Sequence, residues 1–181
     1  MKKIITGALA LSLISSIAMA EFNDIYVGGG IVYEKVDDSD AGKAIESYIG
    51  AKIKNNFGAE IRMTKTFSEA ENTRNYYWTR ANGYYLTTNK IDITTVGLYG
   101  TYSYNLSPEL SIDPKVGFMY VSSSQSFTSG TVNAEEDNTE SGLSYGVALK
   151  YNINNNWKTY ASYVKVAKDV QHISIGVEKK F

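Results

Sequence analysis

A period-two alternation of apolar and polar residues runs through almost the whole chain after its first twenty residues. Between positions 143 and 152, Leu, Tyr, Val, Leu and Tyr alternate with Ser, Gly, Ala, Lys and Asn. Because successive side chains of a β-strand point to opposite sides, this pattern predicts strands with one apolar and one polar face. It recurs in eight segments, at 24–36, 44–54, 57–67, 91–104, 110–122, 142–153, 157–167 and 171–181. The sequence therefore predicts an all-β fold of eight antiparallel strands.

The connections between these segments alternate in length. Those at 54–56, 105–109 and 154–156 are short, those at 37–43, 68–90 and 123–141 are long and polar, and the last, at 168–170, is brief. Each segment is close to the ~9–11 residues that a tilted strand needs to cross hydrocarbon. Tight turns at one end and longer loops at the other are typical of outer-membrane barrels. Aromatic residues near the short turns predict a girdle at the membrane boundary: Phe57, Tyr102, Tyr104, Tyr151, Trp157 and Phe181.

The same alternation also fits a soluble eight-stranded barrel or sandwich, in which the apolar face points inward. Three features favour lipid on the outside. Glycines and charged residues share the polar face, few charges interrupt the apolar face, and the chain ends in an aromatic residue directly after a strand. The mean hydropathy of −0.26 excludes a bundle of membrane helices, but a barrel shows lipid only every second residue. We therefore expect an eight-stranded antiparallel up-and-down transmembrane β-barrel.

The N-terminus predicts export. Lys2 and Lys3 precede an apolar stretch that reaches Ile17, and Ala18 and Ala20 are small residues at the two positions that a signal peptidase reads. We expect residues 1–20 to be a cleaved signal peptide and residues 21–181 to be the barrel domain, carried through the periplasm to the cell outer membrane. The chain has no cysteine, and its net charge of −1 gives no reason to expect nucleic acid. We expect no cofactor, no metal and a monomer.

Three glycine-bearing strands carry a family resemblance: IYVGGG at 25–30, VGLYGTY at 96–102 and IGVEKKF at 175–181. With them, the whole of 21–181 resembles the small eight-stranded outer-membrane barrels of Gram-negative bacteria. That group includes the transmembrane domain of outer membrane protein A and the OmpX-type and opacity proteins. The resemblance implies that Phe181 is an assembly signal, read by the barrel-assembly machinery.

Charges on the polar face predict an ion-pair network inside the barrel, because buried charges persist only when they are paired. Lys52 and Glu60 should lie opposite or diagonal to each other across a short turn, within side-chain reach. The predicted network comprises Glu46, Lys52, Glu60, Arg62, Lys115, Lys150 and Glu178. It either fills the lumen or lines a small porin-like channel. We favour filling, since an eight-stranded barrel is just wide enough for side chains.

The only histidine supplies the one catalytic-looking set. His172 and Ser174 lie two apart on the last predicted strand, with Glu178 further along. Ser, His and a carboxylate are the groups of an acyl hydrolase. The spacing is similar to the His-x-Ser pair of outer-membrane lipid A deacylases, themselves eight-stranded barrels, but the flanking residues do not match. A lipid A acyl hydrolase is therefore a minor alternative, and we expect no enzyme.

The long connections favour a structural or surface-interaction role. Two aromatic runs flank an Asn-Gly pair within 68–90, which predicts a hairpin that extends the barrel wall. Exposed Tyr, Trp and Arg are enriched at binding hot spots, and the candidates are Arg74, Tyr76, Tyr77, Trp78, Arg80, Tyr84 and Tyr85. The same rings could instead form a girdle or pack on one another. The expected partners are a host or surface ligand, outer-membrane lipid and lipopolysaccharide, toward whose phosphates Lys165 would extend.

Overall fold

Ten strands make up the fold in the computed structural model, which describes residues 23–36, 42–68, 70–76, 85–129, 132–166 and 170–181. None of these residues belongs to a helix that could span a membrane. The strands are β1 Asn23–Val36, β2 Gly42–Lys54, β3 Phe57–Ser68, β4 Ala70–Tyr76, β5 Tyr85–Tyr102, β6 Tyr104–Asn105, β7 Leu110–Ser129, β8 Val132–Asn152, β9 Trp157–Lys165 and β10 Val170–Lys180.

These strands close into an eight-stranded antiparallel barrel, as the alternation predicts. Neighbouring strands pair in the order β1, β2, β3, β5, β7, β8, β9 and β10, and β10 pairs back onto β1. β4 occupies the same place in the wall as β3 and, like β3, pairs with β5. In the same way, β6 follows β5 and pairs with β7. Trp157 on β9 faces Ile153, directly after the end of β8. A row of paired residues that starts at Trp157 and passes through β10, β1, β2, β3, β5 and β7 arrives on β8 at Leu143 instead. This stagger of 153 − 143 = 10 residues tilts the strands by about 40°.

The apolar face of the barrel points outward. Ile31 and Leu143 are 58% and 69% exposed, whereas the charged residues Glu60, Arg62 and Lys115 are at most 3% exposed. A soluble barrel would have the opposite arrangement, because water would then cover the outer face. An apolar outer wall instead suits hydrocarbon, so this arrangement decides between the two alternatives in favour of a transmembrane barrel.

Glycine and tyrosine alternate on the inner face because each ring occupies the space above a glycine of the next strand. The register pairs Tyr26 with Gly50 and Gly28 with Tyr48. A Cβ atom on Gly28 would lie 2.1 Å from Cζ of Tyr48, and one on Gly50 would lie 2.4 Å from Cζ of Tyr26. The glycines therefore make room for large inward side chains in a narrow lumen.

The long connection at 123–141 contains more strand than the sequence predicts. The predicted loop at 123–141 is instead a continuation of β7 to Ser129 and an early start of β8 at Val132, with the two strands paired throughout. Within 68–90, β4 pairs with the first residues of β5, as the Asn-Gly hairpin predicts. The 123–141 prediction was wrong because both faces of this stretch are polar, so no alternation marks it as a strand.

Candidate functional site

The centre of the lumen is built around the carboxylate of Glu60, which is 1% exposed. Lys115 Nζ lies 3.0 Å from Oε2, and Arg62 Nη2 lies 3.2 Å from the same oxygen. Lys150 Nζ lies 3.6 Å from Oε1, which also accepts a hydrogen bond of 3.2 Å from the Tyr26 hydroxyl. Three cations and one phenol, drawn from several strands of the wall, therefore meet at one side chain.

Glu46 and Glu178 extend this network to either side. Glu46 accepts hydrogen bonds from Arg62 Nη1 and from the Tyr160 hydroxyl, the latter at 2.6 Å. Glu178 accepts hydrogen bonds from Lys150 Nζ at 2.8 Å and from the Tyr48 hydroxyl at 3.0 Å. The guanidinium of Arg62 also lies 4.2 Å from the centre of the Tyr48 ring. The buried glutamates thus have both cationic and phenolic partners, which offsets the cost of removing their charges from water.

Six of the seven predicted lumen residues meet in this network, and Lys52 does not. In the register Lys52 faces Gly58, diagonal to Glu60, but the Glu60 carboxylate is already surrounded by three other cations. Lys52 is half-buried and lines a cavity of about 660 Å³ at the short-turn end of the barrel. No carboxylate of the described residues lies within ion-pair distance of it.

The sequence places Asp113, Tyr48 and Tyr160 on the inner face but does not assign their partners in the network. The hydroxyls of Tyr26, Tyr48 and Tyr160 donate to the three glutamates, and Asp113 lies 3.1 Å from Lys150 Nζ. The available signal was the position of these tyrosines on the glycine-bearing face, where a ring must point into the lumen.

Closer to the long-loop end, the lumen is filled by an apolar layer. Its residues are Ile91, Ile93, Tyr99, Met119, Val121, Val164, Val166 and Val170. Sequence reasoning missed this layer because the outward neighbours of several of its members are apolar too, so alternation does not separate the two faces there. The ion-pair network and the apolar layer together occupy the lumen above the cavity at the short-turn end.

The structure does not bring the catalytic-looking residues together. The Ser174 hydroxyl is 2.6 Å from that of Ser162, and His172 Nε2 is 3.1 Å from Glu34 Oε1. Glu178 is engaged by Lys150 instead. A serine nucleophile needs its base within about 2.6–3.2 Å, and no such contact joins Ser174 to His172. Among the described residues, no group of His, Asp and Glu side chains could hold a metal ion.

The strands on one side of the barrel extend far beyond its rim. β7 and β8 have 20 and 21 residues, whereas β9 and β10 on the other side have 9 and 11. Together with β4 and the start of β5 they form a four-stranded sheet, which we call the projecting sheet (residues 70–76, 85–91, 123–129 and 132–144). This sheet carries part of the surface that the sequence predicts for binding.

Of the predicted surface residues, three lie in described strands. Arg74 and Tyr76 belong to β4 and Tyr85 to β5, and Tyr76 pairs with Tyr85 at the end of the hairpin. Four lie outside the described residues: Tyr77, Trp78, Arg80 and Tyr84.

Within the described residues, both margins of the projecting sheet are strand edges. β8 pairs with β9 only from Tyr145 onward, so among the described residues the stretch 132–144 has no strand partner on that side. β4 forms the opposite margin. The unpaired backbone N–H and C=O groups of such an edge can accept an additional strand from another chain.

The chain terminus closes the barrel at the short-turn end. The backbone N–H of Phe181 donates a 2.9 Å hydrogen bond to the carbonyl of Ile25, while its ring is 69% exposed. Lys179 Nζ lies 4.9 Å from the centre of that ring. The last aromatic side chain thus stands on the outer wall.

Comparisons with known proteins agree with this geometry. The family model described as "Outer membrane protein beta-barrel domain" matches residues 6–181. One similar structure is that of Ail, the attachment invasion locus protein of Yersinia pestis, in complex with the heparin analogue sucrose octasulfate. Its TM-score is 0.59 at 14% sequence identity, and the match covers 87% of this chain and 98% of that one. Neisserial surface protein A is similar with a TM-score of 0.57 at 18% identity, over 88% and 99%.

A major outer membrane protein from Thermus thermophilus is similar as well, with a TM-score of 0.65 at 12% identity, over 87% of this chain and 98% of that one. No curated protein sequence matches the chain. At these identities the likeness to solved structures concerns the fold.

Proposed function

Because the chain belongs to the outer membrane protein β-barrel domain family, a family of the cell outer membrane, we propose that it is a surface-interaction protein. The barrel anchors it, and the projecting sheet contacts ligands outside the cell. The observation that carries this proposal is the unequal strand length. Crossing the membrane needs only about 9–11 residues, whereas β7 and β8 are about twice as long.

The filled lumen supports this role over a channel. The network around Glu60 joins strands on different sides of the ring, and an apolar layer lies beyond it. Eight strands leave room for side chains alone, so we propose that these residues stiffen the barrel. The separation of Ser174 from His172 likewise gives no support to an acyl hydrolase.

The two margins of the projecting sheet differ in charge, which bears on the ligand. β4 carries one charge of each sign, Glu71 and Arg74, and the sequence that follows it adds Arg80 among aromatic residues. The β8 edge is strongly acidic, with Glu135, Glu136, Asp137 and Glu140. Ail was solved with a sulfated ligand. Arginine forks match the oxygens of sulfate, so we propose that an anionic surface ligand would contact the β4 side and avoid the β8 edge.

The test compares two sets of substitutions that preserve chain length and one deletion. We expect R74Q/W78A/R80Q to weaken binding of the folded protein to immobilised heparin and to extracellular-matrix proteins. The matched control, E135Q/E136Q/E140Q, should bind at least as well as the unaltered chain. Deletion of residues 72–87 should abolish binding. Unchanged binding in the R74Q/W78A/R80Q and deletion variants would refute the β4 side as the contact surface.

The route to the membrane is part of the same proposal. We propose cleavage after Ala20, export through the periplasm and recognition of Phe181 by the barrel-assembly machinery. The exposed terminal ring supports the last step, since an assembly factor could reach it. Phe181→Ala is expected to lower the amount of folded protein in the outer membrane, whereas Phe57→Ala, another exposed ring at this end, should not. We also propose a monomer.

A further inference from the structure

The cavity at the short-turn end is the part of the lumen that the ion-pair network leaves open. Tyr26, Lys150 and Glu178 belong to the network and also line the cavity, so the network forms its floor. Asn155, an exposed residue of a short turn, lines it as well, so the cavity is open to solvent at that end. Its volume of about 660 Å³ is within the range of small-molecule sites in proteins.

Two lysines of the cavity wall have hydrogen-bond donors to spare. Lys52 on β2 and Lys158 on β9 both line the cavity, and the positive charge of one acts on the other. Lys52 has no carboxylate within ion-pair distance in the part of the chain that the structure describes. Lys158 Nζ lies 3.7 Å from Glu178 Oε1, which is longer than a hydrogen bond. The two ammonium groups are therefore available to a ligand.

The carboxylates that line the cavity already accept hydrogen bonds or ion pairs from other described residues: Asp24, Glu109, Asp113 and Glu178. Lys150 Nζ lies 3.1 Å from Asp113 Oδ2 and 2.8 Å from Glu178 Oε2. Lys180 Nζ lies 2.9 Å from Asp24 Oδ1. These nearer partners leave Lys52 and Lys158 without a close counter-charge.

The inner face of this half of the barrel has one positive charge in excess. Among the described residues, the network and the two cavity lysines supply five cations, namely Lys52, Arg62, Lys115, Lys150 and Lys158. The carboxylates on the same face number four, namely Glu46, Glu60, Asp113 and Glu178. Because an uncompensated charge away from bulk water is costly, an anion held in the cavity would stabilise this arrangement.

Uncharged amides complete the wall. Asn56, Asn105 and Asn155 line the cavity, and their side chains form no hydrogen bond with other described residues. A side-chain amide both donates and accepts, which suits the hydroxyl groups of a ligand. A water takes about 30 Å³ in the liquid, so a phosphate or carboxylate group alone would fill only a small part of the cavity. The remaining space has room for a hydroxylated carbon skeleton.

We propose that this cavity binds a small hydroxyl-bearing organic anion from the periplasm, with the charged group of the ligand between Lys52 and Lys158. A sugar phosphate and a sugar acid share this chemistry. The proposal rests on the short turns lying in the periplasm, and not on the ligand surface of the projecting sheet. Binding is measured on the solubilised protein, so its result is independent of the orientation in the membrane and of heparin binding.

The experiment follows the lysine side-chain signals of the folded full chain in detergent micelles by NMR, after labelling of lysine with ¹³C. The probes are glucose 6-phosphate, glucuronate, inorganic phosphate and uncharged glucose. The test variant is Lys52→Gln, which removes a lysine that takes no part in the ion-pair network. The matched control is Lys54→Gln, which removes an exposed lysine two residues further along the same strand. Heat-modifiable migration on a gel establishes that each variant is folded.

We expect glucose 6-phosphate, glucuronate or both to shift the Lys52 and Lys158 signals until they saturate, and the tighter of the two identifies the charged group. Lys52→Gln should bind that probe roughly tenfold more weakly, and Lys54→Gln as tightly as the unaltered chain. Glucose should not bind.

Three results would overturn the proposal. The first is the absence of saturable shifts with both sugar anions, and the second is equal affinity of Lys52→Gln and Lys54→Gln. The third is binding of inorganic phosphate as tight as that of the better sugar anion, because the cavity would then select a bare ion and not an organic ligand.

Discussion

Lys150 Nζ lies 3.6 Å from Glu60 Oε1, although the two residues come from strands three places apart in the ring of eight. The same ammonium group lies 2.8 Å from Glu178 Oε2 on another strand. These contacts join separate parts of the wall through the lumen. The interior of the barrel is thus occupied by side chains that contact one another across the ring.

Glu60→Gln should destabilise the barrel strongly. The change leaves Arg62, Lys115 and Lys150 around an uncharged group, and breaking a buried ion pair from one side costs about 3–5 kcal/mol. Equilibrium unfolding in urea, followed by gel migration, measures this loss. Glu109→Gln, in an exposed turn, is the control and should change the free energy of unfolding by less than about 0.5 kcal/mol. Equal effects of the two substitutions would show that the network does not stabilise the fold.

The unaltered protein should give no large, steady single-channel openings in planar bilayers. Charged side chains fill the middle of the lumen, and the apolar layer beyond them disfavours water. If large openings do occur, the filled-lumen account is wrong. Loss of those openings in Arg62→Ala would then assign conduction to the ion-pair network.

Gly28→Ala should destabilise the barrel by about 1–3 kcal/mol, because the new methyl group would overlap the Tyr48 ring. Gly142→Ala is a matched control on β8, where nothing lies within 4 Å of the added atom. Urea unfolding of the two variants compares them directly. Gly→Ala lowers the entropy of the unfolded chain, so the control should be neutral or slightly stabilised. If the control loses as much stability as Gly28→Ala, the displaced tyrosine is not the cause.

Ser174→Ala should leave the acylation of lipid A unchanged in cells that express the protein. The Ser174 hydroxyl contacts Ser162, and His172 is turned toward Glu34, so the histidine is not in place to activate the serine. Mass spectrometry of lipid A from cells with either form provides the comparison. A shorter acylation pattern that appears only with the unaltered chain would establish a hydrolase.

The barrel could be predicted from the sequence because lipid and lumen impose opposite requirements on alternate residues. On β10, Ile175 and Val177 lie on one face, and Ser174 and Gly176 lie on the other. A shift of one residue in the pairing would turn the apolar side chains into the lumen, so few registers are possible. Where this contrast is absent, the prediction fails. The stretch 123–141 could not be identified as strand because it is polar on both faces. The apolar layer could not be identified because residues such as Val164, which points inward, have apolar outward neighbours such as Tyr163.

The ion-pair partners were only partly predictable for a different reason. Sequence determines the face on which a charge lies, but not which of several cations reaches a given carboxylate. Lys52 is diagonal to Glu60, yet Lys115 and Lys150 occupy that carboxylate from strands far away along the chain. Such contacts depend on how closure of the ring brings distant strands together.

The central claim, that the projecting sheet faces the outside of the cell, can be tested with single cysteines because the chain has none. Thr139→Cys places an exposed thiol on the projecting sheet, and Asn155→Cys places one on a short turn. The measurement is labelling of intact cells with a maleimide that does not cross membranes. The account predicts that T139C is labelled at once and N155C only after the outer membrane is permeabilised. Labelling of N155C and protection of T139C on intact cells would contradict it.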